Sequence, residues 1–511
     1  MIKLKSLLTI LLGVVITSAL AQSRLALHTE QANTKINKEI YGHFAEHLGH
    51  CIYGGIYVGE NSDIPNIRGF RDDVVGALKD MKIPVLRWPG GCFADTYHWK
   101  DGIGPREERP SIINVHWGGV TEYNSFGTHE FLDFCELIGA EPYININVGS
   151  GTVQEASEWV EYVNSSNKSP MTDLRKKNGR QEPWNVKYWG IGNENWGCGG
   201  NMTPEYYADL YKRFASFTGG NLNRIACGPN VDDYNWMDVM MKKVVPYGWL
   251  MQGISLHYYT LQTGNWGDKG NATGFGEKEW FETLNQTMRM ETLVTRHSTI
   301  MDKYDPEKRV GLMVDEWGNW FNVEKGTNPG FLYQQNSLRD AMVAAVNLNI
   351  FNNHADRVRM ANIAQMVNVL QSVILTKDDE MVLTPTYYVF KMYSVHQDAL
   401  LVPEYLETGD YSLEGEKVPT VSASSSIKDG VLSITVCNLN PLKSEKLEIN
   451  VTGQSFTSAS GEIITSDKLN AYNDFGKDES VSSRNFDVAN PKNGKLAVEL
   501  PAKSVVLIQM K

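Results

Sequence analysis

The sequence predicts an α/β fold: a (β/α)8 TIM barrel joined to a C-terminal antiparallel β-sandwich of jelly-roll type. Three observations carry this expectation. Eight short β-like runs alternate with stretches of helical period between residues 38 and 397. From residue 398 to 511 the helical period stops, and alternating strands separated by Gly, Pro, Asn and Ser take over. Polar residues that a core would exclude gather at the C-terminal ends of the eight runs, where a barrel opens to its substrate.

The chain begins MIKLKSLLTILLGVVITSALAQS. Lys3 and Lys5 precede the apolar run 7–16, and Ala19-Leu20-Ala21 fits the small-x-small cleavage rule. Residues 1–21 therefore read as a signal peptide, too short in its apolar part for a spanning helix, and the protein as exported, periplasmic or extracellular. No later stretch is long and apolar enough to cross a membrane. Residues 22–37 go with 398–511 in the sandwich, through a strand within RLALHTEQANTKI (24–36).

The barrel runs are YGHFAE (41–46), PVLRW (84–88), PYININV (142–148), VKYWGI (186–191), IACG (225–228), GISLHY (253–258), VGLMVD (310–315) and VRMANIAQ (358–365). RDDVVGALKDM (71–81), HEFLDFCELIG (129–139) and PEYYADLYKRFASF (204–217) carry apolar residues at helical spacing between them. A doubly wound sheet is the alternative, but it calls for a Gly-rich phosphate turn after an early strand, and none occurs. In the tail, DGVLSITVCNLN puts Leu432, Ile434 and Val436 on one face; KLEINVTG, GKLAVELP and KSVVLIQM are similar short strands.

The formal charge of −12 makes nucleic acid and anionic membrane surfaces poor partners and suits a neutral substrate. The thirteen Trp and twenty-three Tyr suit sugar rings and cores alike. Six scattered cysteines without a C-x-x-C pair give no disulfide framework or zinc site, and any bridge is unassignable. In HFAEH, His43, Glu46 and His47 are close in sequence, but the pattern is not H-E-x-x-H; neither metal nor cofactor is expected.

The strand ends carry Glu46 and His47, then Arg87 followed by PGGCF, Asn193-Glu194, His257 and Tyr259, Asp315-Glu316, and Gln365. Glu194 after the fourth strand and Glu316 after the seventh stand on opposite sides of a barrel mouth. Two facing carboxylates are what glycosidic cleavage needs: one protonated to donate to the leaving oxygen, one ionised to attack the anomeric carbon. Arg87 is the candidate cation for the ionised member, Tyr259 a donor, and His257 a group that orients either one. The glycines after Glu194, with Cys198 among them, read as a sharp turn that lets substrate near the backbone. The Gly-rich loop 260–280 reads as a subsite wall or as a mobile surface loop.

YGHFAEHLG, LRWPGGCFADTYHWKDGIGP, GIGNENWGCGG, SLHYY, DEW and NIAQMVN, in this order at strand ends, resemble glycoside hydrolase family 51, the α-L-arabinofuranosidases. The resemblance runs from residue 38 through the last barrel strand. It implies the barrel-plus-sandwich fold and a retaining exo-enzyme that releases terminal α-L-arabinofuranosyl units from arabinan, arabinoxylan or related oligosaccharides. It implies Glu194 as general acid/base and Glu316 as nucleophile. Glu46, Asn193 and Gln365 would bind sugar hydroxyls, with His257 and Tyr259 flanking the nucleophile. Arg87 and Cys92 would lie at the pocket floor, although some members carry Asn at the Cys92 position, and Trp99 would form a wall. Members often assemble as hexamers or other homo-oligomers. The rivals are another barrel glycosidase, such as a β-xylosidase or endo-β-glucanase, and a carbohydrate-binding protein without catalysis; the paired carboxylates argue against the last.

Overall fold

The computed structural model describes residues 23–511, so the expected signal peptide at 1–21 lies outside the described residues. The eight runs form eight strands: β1 (Gly42–Phe44), β2 (Val85–Trp88), β3 (Glu141–Ile146), β4 (Tyr188–Ile191), β5 (Asn223–Ala226), β6 (Gly253–Thr260), β7 (Gly311–Asn319) and β8 (Val358–Ala364). Each pairs in parallel with the next, and β8 pairs with β1 to close the barrel. The helical stretches form helices Asp72–Met81, Thr128–Ile138 and Pro204–Phe217. The last starts with Pro204 after Thr203, whose side chain accepts from the Tyr206 N–H, as a helix N-terminus requires.

Closure buries both faces of every strand. Inward, Val85, Tyr143, Ile225, Met313 and Met360 form one buried cluster below the rim. Outward, the Trp88, Trp159 and Trp189 rings meet edge to face.

One irregularity decides what the rim carries. β6 and β7 pair in register from Gly253 opposite Gly311 to Ser255 opposite Met313, then resume with His257 opposite Glu316. Val314 and Asp315 therefore oppose Leu256 alone, which is a β-bulge. In a regular strand, neighbouring residues point to opposite faces. Here Asp315 and Glu316 both reach partners inside the barrel, and His257 stands beside them.

Two sheets form the β-rich part. One holds four strands, Glu404–Glu407, Ser23–His28, Glu445–Thr452 and Lys495–Leu500; the other holds seven, including Val421–Lys428, Val431–Asn438 and Ser504–Met510. Leu432, Ile434 and Val436 pack between them with Leu25, Leu27, Leu447 and Ile449. Pairing within the two sheets is antiparallel except that Ser23–His28 runs parallel to Glu445–Thr452. Alternation identifies the apolar face of a strand but not its direction.

Helix Leu338–Asn353 lies between barrel and sandwich and is buried from Leu338 to Asn352. Its sequence, LRDAMVAAVNLNIFNN, is apolar around most of its circumference, as full coverage demands. Asn349 is a polar exception with every bond used. Its Nδ2 donates to Ser422 (3.1 Å), and its Oδ1 accepts from Tyr393 (3.0 Å), Ser424 (3.0 Å) and Thr435 (3.1 Å). Asn349→Ala should therefore cost about 2–4 kcal/mol, because buried hydroxyls lose their acceptor. Thermal and urea denaturation check this; an unchanged midpoint would mean that these bonds do not hold barrel and sandwich together.

Candidate active site

Glu194 and Glu316 converge across the rim with His257 between them. Oxygens of the two carboxyls and a ring nitrogen of His257 all lie within 4.8 Å of one another. His257 Nδ1 is 2.9 Å from Glu194 Oε1 and 3.5 Å from Glu316 Oε2. Glu316 accepts from Arg87 Nη1 at 2.8 Å and from the Tyr259 hydroxyl at 2.9 Å. Glu194 has no arginine contact; its second oxygen lies 3.5 Å from Cys198 Sγ and 3.9 Å from Cys92 Sγ.

The surroundings of Glu194 favour its protonated form. Burial, followed by the charge of Glu316, raises the Glu194 pKa, against the pull of His257 and Arg87. Burial alone would strip the proton from His257, but Glu316, Asp315 and Glu194 together raise its pKa to about 10, so the ring is an imidazolium at neutral pH. Burial opposes the charge of Arg87 as well, and Asp315 and Glu316 outweigh it. The second strand thus supplies a permanent cation beneath Glu316.

Around this pair lies a ring of further donors and acceptors. Arg87 Nη2 donates to Asn193 Oδ1 at 2.6 Å, which turns the Asn193 amide nitrogen away from the arginine; that buried nitrogen has no partner. Glu46 accepts from Phe93 N–H (3.0 Å), Trp117 Nε1 (2.9 Å) and Gln365 Nε2 (2.9 Å), leaving Gln365 Oε1 buried and unpaired. Burial, then the charge of Glu316, raises the Glu46 pKa to about 7. Glu46, Cys92, Glu194, His257, Tyr259, Glu316 and Gln365 line one cavity of about 350 Å³, with Trp117, Trp196, Trp266 and Trp320 around them. Arg87 and Asn193 are buried directly behind its carboxylates.

The glycines have local causes. A Cβ on Gly91 would meet the Glu46 carboxylate at 2.4 Å, so the turn after β2 must be bare to lie against it. A Cβ on Gly199 would meet the Asn193 carbonyl at 2.1 Å and Asp95 at 2.7 Å. The loop after Glu194 is thus glycine-rich, at this position, to pack under Asn193 rather than to admit substrate. Glu194 itself sits at φ +42°, with its carbonyl accepting from Gly197 (2.7 Å) and Gly199 (3.1 Å).

Two expectations are corrected. Trp99 is not a pocket wall: it is 1% exposed, stacks on Trp159 with ring centres 6.0 Å apart, and donates to the Glu155 carbonyl. Trp117, on the loop between Ile112–Ile113 and Thr121–Glu122, faces the cavity instead. Cys92 lines the cavity, but as half of a disulfide with Cys198, not as a thiol. The bridge ties the turn after β2 to the loop after Glu194. Of the two readings of loop 260–280, the wall is the one seen: Gly264 and Trp266 line the cavity, Trp266 meets Trp320 edge to face (5.1 Å), and Trp320 meets Tyr259 likewise (5.0 Å).

The residues of HFAEH do not converge. His43 packs on the Phe390 ring, His47 bonds Glu122 and Trp88, and Glu46 alone reaches the cavity. Sequence reading leaves Asp95, Trp117 and Tyr143 unremarked, and it names Asp315 and Cys198 without a role at the site. Asp95 accepts from Val148 (3.0 Å), Gly149 (2.7 Å) and Asn193 (3.2 Å) N–H groups and so fixes the backbone before Glu194. Its signal was a lone acid in the otherwise apolar stretch CFADTY.

Residues 77–241 match the model of the α-L-arabinofuranosidase 1 domain, and residues 315–504 that of the α-L-arabinofuranosidase C-terminal domain. The chain is 53% identical, over 96% of both chains, to an intracellular exo-α-L-arabinofuranosidase of Bacteroides ovatus. Its fold is similar to the crystal structure of the family 51 arabinofuranosidase of Xanthomonas axonopodis pv. citri, with a TM-score of 0.94 at 47% identity, covering 96% of this chain and 100% of that one. The arabinose complex of the Thermotoga maritima α-L-arabinofuranosidase gives a TM-score of 0.84 at 32% identity, covering 95% and 99%. The Bacteroides relative overturns the expected export to the periplasm or medium, since a protein this similar over 96% of both chains is named as intracellular.

Proposed function

The chain belongs to glycoside hydrolase family 51, the α-L-arabinofuranosidases, and from that premise we propose that it releases terminal α-L-arabinofuranosyl units by double displacement, with Glu316 as nucleophile and Glu194 as general acid/base. One observation carries the assignment of roles. Arg87 and Tyr259 bond Glu316, whereas Glu194 is half-buried without an arginine partner and its pKa is raised. The closeness of the two carboxyls, within 4.8 Å, supports direct attack rather than attack through an interposed water.

In the first step a Glu316 oxygen bonds the anomeric carbon as the bond to the leaving oxygen breaks, and Glu194 gives that oxygen its proton. The resulting Glu194 carboxylate accepts from the imidazolium Nδ1–H of His257. In the second step Glu194 takes a proton from water while the water oxygen replaces Glu316 on the anomeric carbon. Configuration is retained because it is inverted twice. Glu46 and the unpaired atoms of Asn193 and Gln365 supply acceptors and donors for furanose hydroxyls. A bond from Asn193 to the sugar 2-OH would strengthen as oxocarbenium character develops. A cavity of about 350 Å³ lined by Glu46 and Gln365, with Asn193 directly behind it, suits one terminal unit, and the tryptophans toward its mouth suit the sugars that follow in arabinan or arabinoxylan.

Glu316→Ala should abolish hydrolysis of both arabinan and p-nitrophenyl α-L-arabinofuranoside; retained activity would remove Glu316 as nucleophile. Glu194→Ala should lose about 10²–10⁴-fold on natural linkages and much less on aryl arabinosides, whose leaving groups need little protonation. Equal losses on both would count against the acid role. NMR of the first-formed product should show the α-anomer, and a β-anomer would exclude double displacement.

The pH dependence has a definite sign. A raised pKa keeps Glu194 protonated beyond the ordinary carboxylate range, so kcat/KM should fall only as pH rises through that higher value. A basic limb already at pH 4.5 would contradict the assignment.

A further inference from the structure

The bulge in β7 brings a third carboxylate into the site. Asp315 is buried, and both of its oxygens are engaged. Oδ1 lies 3.1 Å from His257 Nε2; Oδ2 accepts from the Tyr143 hydroxyl at 2.7 Å and lies 3.6 Å from Arg87 Nε. Arg87 Nη1 also donates to the Asp315 carbonyl at 3.2 Å. The charged and titratable groups facing this cluster are Arg87 on β2, Tyr143 on β3, Glu194 after β4, His257 and Tyr259 on β6, and Glu316 on β7. None of the residues proposed above to touch sugar or the reacting atoms explains an aspartate here.

We propose that Asp315 is a positioning residue of this hydrolase: it fixes His257 so that one ring N–H points at Asp315 and the other at Glu194, and it braces Arg87 beneath Glu316. A neutral imidazole has one N–H and cannot donate to two carboxylates at once. With Asp315 as a permanent acceptor on Nε2, the Nδ1 side is left to serve Glu194. His257 can then stabilise the Glu194 carboxylate that exists once its proton has gone to the leaving group. Without that negative partner, a ring between Arg87 and the rim would keep a single proton, and Glu194 would lose its donor. Arg87, Tyr143 and His257 in turn hold Asp315 ionised, its pKa pulled below the carboxylate range against the push of burial. The inference rests on the role assigned to Glu194 above.

The test has two readouts on the full-length protein. The first is NMR of ring-¹⁵N-labelled histidine in the wild type, with the His257 signal identified by its absence from His257→Asn. Two ring protons on His257 at neutral pH are expected, and a singly protonated ring overturns the proposal whatever any variant does. The second is Asp315→Asn, which keeps the shape and removes the charge. Its His257 should lose one ring proton in the neutral range, and kcat/KM should fall on the order of 10²-fold or more with the circular dichroism spectrum retained. A folded Asp315→Asn enzyme with kcat/KM within about threefold of wild type overturns the proposal. Should Asp315→Asn not fold, the wild-type spectrum alone decides. Failure of the underlying reading looks different: Glu194→Ala would keep its activity on natural linkages.

Discussion

The site depends on one constraint: three carboxyls, Asp315 and Glu316 buried and Glu194 half-buried, meet at one point of the barrel rim beside two cations, Arg87 and His257. Burying a charge is costly unless it is paired and hydrogen-bonded. Three negative groups against two positive ones leave one carboxyl unmatched, and geometry decides which. Asp315 lies against both cations, and Glu316 accepts directly from Arg87. Glu194 meets only the shared histidine and a disulfide, and burial together with the charge of Glu316 raises its pKa. This count and this placement set the surroundings of Glu194 apart from those of Glu316.

The rest of the chain builds toward that arrangement. The bulge opposite Leu256 turns Asp315 and Glu316 to the same side. Gly91 lets the turn after β2 lie on Glu46, and the Cys92–Cys198 bridge joins that turn to the loop after Glu194. Asp95 gathers three backbone N–H groups to hold the chain just before the acid. Tyr259, Trp320 and Trp266 continue outward from Glu316 as an edge-to-face series, so the wall toward the cavity mouth is anchored to Glu316.

Much of this was legible in the sequence, because a barrel places strand ends on one rim and polar residues at the ends of apolar runs are conspicuous. Glu46, Arg87, Glu194, His257, Tyr259, Glu316 and Gln365 were found in this way, and the structure brings them together. What stayed hidden depends on relations between distant segments. Asp315 beside Glu316 should point outward by simple alternation, and only the register of β6 against β7 reveals the bulge. Trp99 and Trp117 are both followed within three residues by glycine, and only the packing of Trp99 on Trp159 separates core from cavity. The Cys92–Cys198 pairing spans 106 residues and leaves no spacing signal. The parallel course of Ser23–His28 is likewise invisible to alternation, and the expected export rests on a local pattern, against which stands a relative named as intracellular.

The central claim is that Glu316 becomes covalently bonded to the sugar and that Glu194 is needed to release it. Intact-protein mass spectrometry of the Glu194→Ala enzyme, incubated with an activated aryl α-L-arabinofuranoside, tests it most directly. Deglycosylation without its base is slow, so the account predicts a protein heavier by one arabinosyl residue, with peptide mapping placing the adduct on Glu316. An adduct on any other residue, or no adduct while aryl arabinoside is being turned over, would contradict it.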